Sequence, residues 1–320
     1  MKILFVGNFS IWMKLHLEHL IAGYIHAGFQ VIKADYHDMA KWCGLSLPKK
    51  FADELRQRNL EKIVKQESPD ICFFAGNIIH FDLERLKSYF KGIIVFHDYD
   101  GPRRDDLDFF AQVSKNCLFL TVSRYIEREL KKRNCQAFYL PHGVDTEYYH
   151  PLRGSKNSYP NGISFIGRAT ERRVDVCRNA DSDLVLYGDR WKNTSLKDMC
   201  HSKHNVYEEE VVSIYRDSVA MINILQEPLE QYQTILSLQC FAIPSTGTCL
   251  CAEFVEEFPE HFEEGKEVLL FRSPEELSEL LKKVISDRKW AEQIGDTGRK
   301  RCQLEHSHFH RAQQFSKLIS

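Results

Sequence analysis

The stretch LPHGVDTEYYHPLRGSKNSYPNGISFIGR, residues 140–168, divides the chain. Its opening, Leu140-Pro141-His142-Gly143-Val144-Asp145, ends an apolar run with turn chemistry, because proline fixes φ and glycine reaches conformations other residues avoid. Residues 151–162 then concentrate Pro, Gly, Ser, Asn and Lys, the composition of a linker. The apolar run 162–166 is closed by Gly167-Arg168 and reads as the first strand of a second series. A chain of 320 residues exceeds the roughly 250–300 at which one hydrophobic core stops growing, so a domain is expected on each side of this segment.

Upstream, short apolar runs alternate with longer helical patterns, as in βα units around a parallel sheet. Strands are predicted at 2–7, 31–35, 71–75, 93–98, 118–122 and 137–140, each nearly continuous in apolar residues as for strands covered on both faces. Helices are predicted at 13–27, 48–66, 82–90, 105–115 and 124–133, with Pro48 suited to a helix start and Asp82 to an N-cap. Downstream, strands are predicted at 162–166, 184–187, 220–224, near 248–251 and at 267–271. The accompanying helices are predicted at 172–179, 208–217, 232–241, 254–263 and 274–286, followed by a charged helical tail from 288 to 320.

Composition bounds the function classes. Lys plus Arg at 43 against Asp plus Glu at 45 leaves a formal charge of −2, without the global basic footprint of a nucleic-acid binder. No apolar stretch approaches the roughly 20 residues that span a bilayer, so membrane association is expected to be peripheral at most. Met1-Lys2-Ile3-Leu4-Phe5-Val6-Gly7 is too brief for a signal segment and reads as a strand. Ten cysteines without a Cys-x-x-Cys pair point to reduced thiols and a cytoplasmic location.

Open parallel sheets bind ligands at the carboxyl ends of their strands, so the residues after each strand are the first candidates. In the first half these are Gly7-Asn8, Gly76-Asn77, His97-Asp98-Tyr99-Asp100, Ser123-Arg124 and His142-Gly143. In the second half they are Gly167-Arg168, Gly188-Asp189-Arg190-Trp191 and Asn223 onward.

Taken in order, several of these segments carry a resemblance. Leu140-Pro141-His142-Gly143-Val144-Asp145 with Tyr149-His150-Pro151 resembles the interdomain crossing of GT-B glycosyltransferases, and Ile163-Ser164-Phe165-Ile166-Gly167-Arg168 resembles the strand and glycine that open their donor domain. Tyr187-Gly188-Asp189-Arg190-Trp191 and Phe262-Glu263-Glu264-Gly265-Lys266-Glu267-Val268 are similar to segments of the CgeB-like (spore maturation protein) group. The resemblance covers residues 137–315 and is architectural before that. It implies two Rossmann-like domains facing each other across a cleft: an acceptor domain at 1–145, a donor domain at 160–305, and a helix at about 306–320 packing back on the first. It further implies sugar transfer from a nucleotide-diphosphate sugar to a glycan or cell-surface or spore-type acceptor, with no metal and no cofactor beyond the donor substrate.

The residues give a parallel reading. A diphosphate is neutralised by helix N-termini, a close-approaching glycine and guanidinium groups. Gly167, Arg168, Arg173, Asn223, Ser245, Thr246, Gly247 and Thr248 are therefore the donor-side candidates, with Arg172 beside them and Tyr187 and Gly188 as a slot for the base. Transfer needs a base or a stabilised leaving phosphate. Asp98 is the expected base and His97 the alternative, although Asp98 or Asp100 could instead cap the next helix. Asn8, Asn77, Asp100 and His142 are the acceptor-side candidates.

One departure stands out. The group carries an arginine and a ribose-holding glutamate where this chain has Gln239 and Ala242. Either Glu253 or Glu227 substitutes, or the donor is unusual, or activity is weakened. A non-catalytic relative, a nucleotide-sugar epimerase and a nucleic-acid glycosyltransferase remain alternatives on the same fold. The clusters His306-Ser307-His308-Phe309-His310 and His201-x-x-His204 lack ligand spacing for a metal and read as surface or capping histidines. A dinucleotide site would need Gly-x-Gly-x-x-Gly after the first strand, where Gly7 stands alone.

Overall fold

A computed structural model describes the chain except residues 10, 41–47, 77–80, 102–105, 153–159, 161, 181–183, 202–205, 227–231 and 233. The described residues form two compact units, Met1–Pro141 with His308–Ser320, and His142–Ser307.

The first unit holds a six-stranded sheet in the order β2-β1-β3-β4-β5-β6. Its strands are β1 Lys2–Gly7, β2 Gln30–Asp35, β3 Ile71–Ala75, β4 Ile93–Asp98, β5 Leu118–Thr121 and β6 Ala137–Tyr139. All described pairings are parallel, for example Ile3 with Ile71 and Val95 with Leu118. Helices α1 Ile11–His26, α2 Lys49–Glu67, α3 Leu83–Tyr89, α4 Asp106–Ser114 and α5 Arg124–Lys132 connect them. Local chemistry sets the boundaries: Asp82 accepts the Arg85 N–H at the start of α3, and Ser123 accepts the Ile126 N–H at the start of α5. One sheet face packs Leu4, Phe74 and Phe96 against Leu60, Leu86, Phe110 and Leu130.

The second unit holds a five-stranded parallel sheet in the order β11-β10-β9-β7-β8. These strands are β7 Ile163–Ile166, β8 Leu184–Tyr187, β9 Ala220–Asn223, β10 Cys249–Glu253 and β11 Leu269–Phe271. Its helices are α6 Glu171–Asn179, α7 Glu208–Asp217, α8 Leu238–Ser245, α9 Phe258–His261, α10 Pro274–Ser286 and α11 Arg288–Glu305. The last helix, α12 His308–Ile319, belongs to the first unit. Two apolar clusters cover the sheet, one around Phe165, Leu186, Trp191 and Leu281, the other around Tyr215, Phe241, Leu250 and Phe262.

Two helices differ from the sequence reading. The helix predicted at 232–241 begins at Leu238, because Ile235 holds φ 81 and its N–H is taken by Glu257. The helix predicted at 254–263 shrinks to Phe258–His261, because the Phe254 N–H bonds Phe271 O and continues the edge of the sheet.

Candidate functional site

From β7 the chain runs to β8 on one side and returns to β9 on the other. Such a reversal opens a crevice outside the carboxyl ends of the two strands, where open α/β sheets take ligands. Gly167 and Arg168 follow β7 there, and Asn223 ends β9. Helix α6 starts behind them, with Thr170 accepting the Arg173 N–H at 3.3 Å.

Side chains stitch this edge together. Arg173 donates from Nη2 to Ile224 O at 2.8 Å and from Nη1 to Arg168 O at 3.3 Å. Arg172 donates to Leu225 O at 3.2 Å and forms a two-point ion pair with Glu253, whose Oε2 also accepts the Leu225 N–H at 2.9 Å. Gln239 donates to Ile166 O at 3.2 Å and accepts from Asn223 Nδ2 at 2.9 Å. Arg172, Arg173 and Asn223 thus brace the loops after β7 and β9, while Arg168 extends into solvent with its side chain 56% exposed.

The loops after β7 and β8 touch. Gly188 has φ +116, and a Cβ there would lie 2.5 Å from Gly167 O. A Cβ on Gly167 would meet the Phe165 ring at 2.8 Å. Tyr187 is fully buried, edge-on to His201 at 5.5 Å, so its ring offers no face to a base from solvent.

Ser245, Thr246, Gly247 and Thr248 depart from the expectation of a phosphate-holding turn. They precede β10, and residues preceding a strand of a parallel sheet lie at its amino edge, opposite Gly167 and Asn223. Thr246 is the C-cap of α8, and the carbonyl end of a helix repels anions. Their hydroxyls serve the fold: Ser245 donates to Tyr149 O and Thr248 to Tyr215 O, both at 2.7 Å.

In the first unit, Asp98 ends β4 and is buried. Its Oδ2 accepts the Thr121 hydroxyl at 3.0 Å, and Oδ1 accepts the Asp100 and Gly101 N–H groups at 3.2 and 3.3 Å. Burial pushes its carboxyl up to about 6 against those bonds. His97 lies 3.1 Å from Leu140 O through Nε2, and its buried Nδ1 has no hydrogen-bond partner. Burial takes it down to about 3. Asp100 is exposed, Asn8 half-buried after β1, and His142 buried in the second unit. Asn77 lies outside the described residues, as do Glu227 and His204.

Elsewhere, His306 is buried and caps α11, bonding His261 O at 2.9 Å, and His308 is buried in the first unit. Among the described residues no group of three or more His, Cys, Asp or Glu converges as a metal site. No described helix is long and apolar enough to cross a membrane. Sequence reasoning missed Gln239 as the partner of Asn223, and it offered Glu253 only as a substitute for the absent ribose-holding glutamate, whereas that carboxylate, at the end of β10, is engaged by Arg172 and the Leu225 N–H.

Residues 167–317 match the family model described as glycosyl transferase-like. No curated protein matches the sequence. Sucrose-phosphate synthase from Thermosynechococcus elongatus superposes with a TM-score of 0.73 at 12% identity, covering 99% of this chain and 98% of its own. A glycosyltransferase from Rickettsia africae gives 0.71 at 12%, with 99% and 97% covered. Anabaena HepE in complex with UDP-glucose gives 0.68 at 13%, with 100% and 99% covered. The chain therefore has the GT-B fold, and residues 167–317 are similar to the glycosyl transferase-like family.

Proposed function

We propose that the protein transfers a sugar from a nucleotide-diphosphate sugar to a glycan-type acceptor, without a metal, as a CgeB-like glycosyltransferase. The reading rests on the carboxyl edge of the second sheet, where a close-approaching Gly167, the start of α6 and the exposed Arg168 meet at the strand-order reversal. Backbone N–H groups at a helix start and a guanidinium are what a diphosphate needs. The UDP-glucose complex of Anabaena HepE, on the same fold, supports this donor class.

Asp98 is the base in this reading. A carboxyl raised to about 6 is ionised at neutral pH yet basic enough to accept a proton as an acceptor hydroxyl attacks. His97, near 3, is too weak a base for that task. Titration with UDP, GDP, ADP and CDP should show binding of at least one, weakened on the order of tenfold or more by Arg168→Ala. With a matched sugar donor, turnover should fall as pH drops through about 6. A protein that binds none of the four overturns the reading.

A second reading, a nucleotide-binding relative without transferase activity, is favoured by Ala242. It is 1% exposed on α8, a buried methyl where the resemblance expects a carboxylate. This version predicts binding without hydrolysis or transfer.

A further inference from the structure

Beyond β8 the backbone takes a conformation that ending a strand does not require. Arg190 holds φ 70, in the left-handed region that disfavours residues with a Cβ. Its neighbours fix it there. Trp191 is fully buried and donates its indole N–H to Gly167 O at 2.8 Å, while the Ala169 N–H bonds Asp189 O at 2.9 Å. With Gly188 pressed on Gly167, the loops after β7 and β8 act as one piece.

This brings two guanidinium groups from different loops around one carboxylate. Asp189 Oδ2 lies 3.6 Å from Arg168 Nε and 3.5 Å from Arg190 Nε. Both separations exceed the roughly 2.7–2.9 Å of a charge-assisted hydrogen bond, so Asp189 is a loose partner. All three side chains reach solvent at 43–63% exposure. Arg190 also borders a hollow of about 620 Å³ whose wall carries Thr170, Asn193 and Thr194 together with the acidic Glu171 and Asp175 and the basic Arg178.

We propose that Arg168 and Arg190 form a two-pronged clamp for a diphosphate, and that Asp189 is a built-in competitor occupying the clamp until the ligand displaces it. The proposal rests on the nucleotide-sugar reading and adds to it a second phosphate ligand and an internal anion. A diphosphate carries more charge than one carboxylate and offers each planar guanidinium a matching pair of oxygens. Asp189 can turn to solvent when displaced. The strained backbone at Arg190 is then the cost of aiming the second prong.

The test is calorimetric titration of the full chain with UDP, GDP, ADP and CDP, the corresponding nucleosides, and inorganic pyrophosphate. Asp189→Asn is expected to bind diphosphates several-fold more tightly, and Arg190→Gln on the order of tenfold more weakly, with nucleoside affinity unchanged in both. Arg190→Gly suits the left-handed backbone, so it should melt no lower than the parent yet lose the same affinity. Weaker or unaltered diphosphate binding by Asp189→Asn, or a lower melting temperature for Arg190→Gly, overturns the clamp. If the parent binds nucleotides while these variants change nothing, the clamp falls and the donor reading stands. If pyrophosphate binding follows the variants but no nucleotide binds, the clamp stands and the donor reading falls.

Discussion

Asp98 and His97 are buried and His16 half-buried in the first unit, and desolvation moves the acid and the two imidazoles in opposing senses. His97 and His16 are lowered from 6.5 to about 3 and about 4, chiefly by desolvation. The unfolded chain therefore takes up their protons first, and the stability they confer is lost as pH falls from 6.5. Asp98 is raised from 3.8 to about 6, so its contribution is full below 3.8 and lost as pH rises through 6. Between pH 4 and 6 two groups oppose one, and stability should decline with acid by on the order of 1 kcal/mol per pH unit. Urea midpoints across this range check it. His97→Gln should flatten the profile and Asp98→Asn steepen it, whereas identical slopes in all three proteins would refute the account.

Helix α11 shows what a single element can hide. Gly295 and Gly298 share its inner face, and a Cβ at these positions would lie 2.1 Å from Gly247 O and 2.5 Å from Glu267 O. The helix rests directly on the turn between α8 and β10. Gly295→Ala should therefore destabilise the second unit by about 1–3 kcal/mol despite its better helix propensity, as overpacking does. Thermal unfolding reads this, and an alanine variant as stable as the parent would show that the helix can shift. The same turn explains one misreading. Ser245–Thr248 looks like phosphate chemistry by composition, but its place before β10 put it at the amino edge, a signal the sequence did contain. The strands were legible because their apolar runs are covered on both faces, as in β1, β3 and β4. Gly167-Arg168 and Asp189-Arg190 were legible as residues that follow strands. The late start of α8 was not, because the Glu257 carboxylate that takes the Thr234 hydroxyl and the Ile235 N–H comes from a segment distant in sequence. The Gln239–Asn223 bond was likewise invisible, since an amide on a helix looks alike whether it meets solvent or a strand end.

At the scale of the whole chain, the decisive feature is that its end completes its beginning: His308–Ser320 joins Met1–Pro141 in one unit. Helix α12 covers the sheet face opposite α2 through α5. Phe315 is fully buried, with its ring 5.5 Å from Tyr24 and 5.6 Å from Phe73. The contact with α1 is close enough that a Cβ on Gly23 would meet His308 Cβ at 2.5 Å. Phe315→Ala should cost about 3–5 kcal/mol, because it leaves a cavity among large rings. Its effect should be local, since the apolar clusters around Phe165 and Phe241 are built wholly within His142–Ser307. Hydrogen exchange is the measurement. Amides of β1, β3 and α1 should lose protection while those of β7, β9 and β10 keep it. Loss of protection in both sets together would mean that the two cores unfold as one, and that the carboxyl-terminal helix stabilises the entire chain rather than the first unit alone.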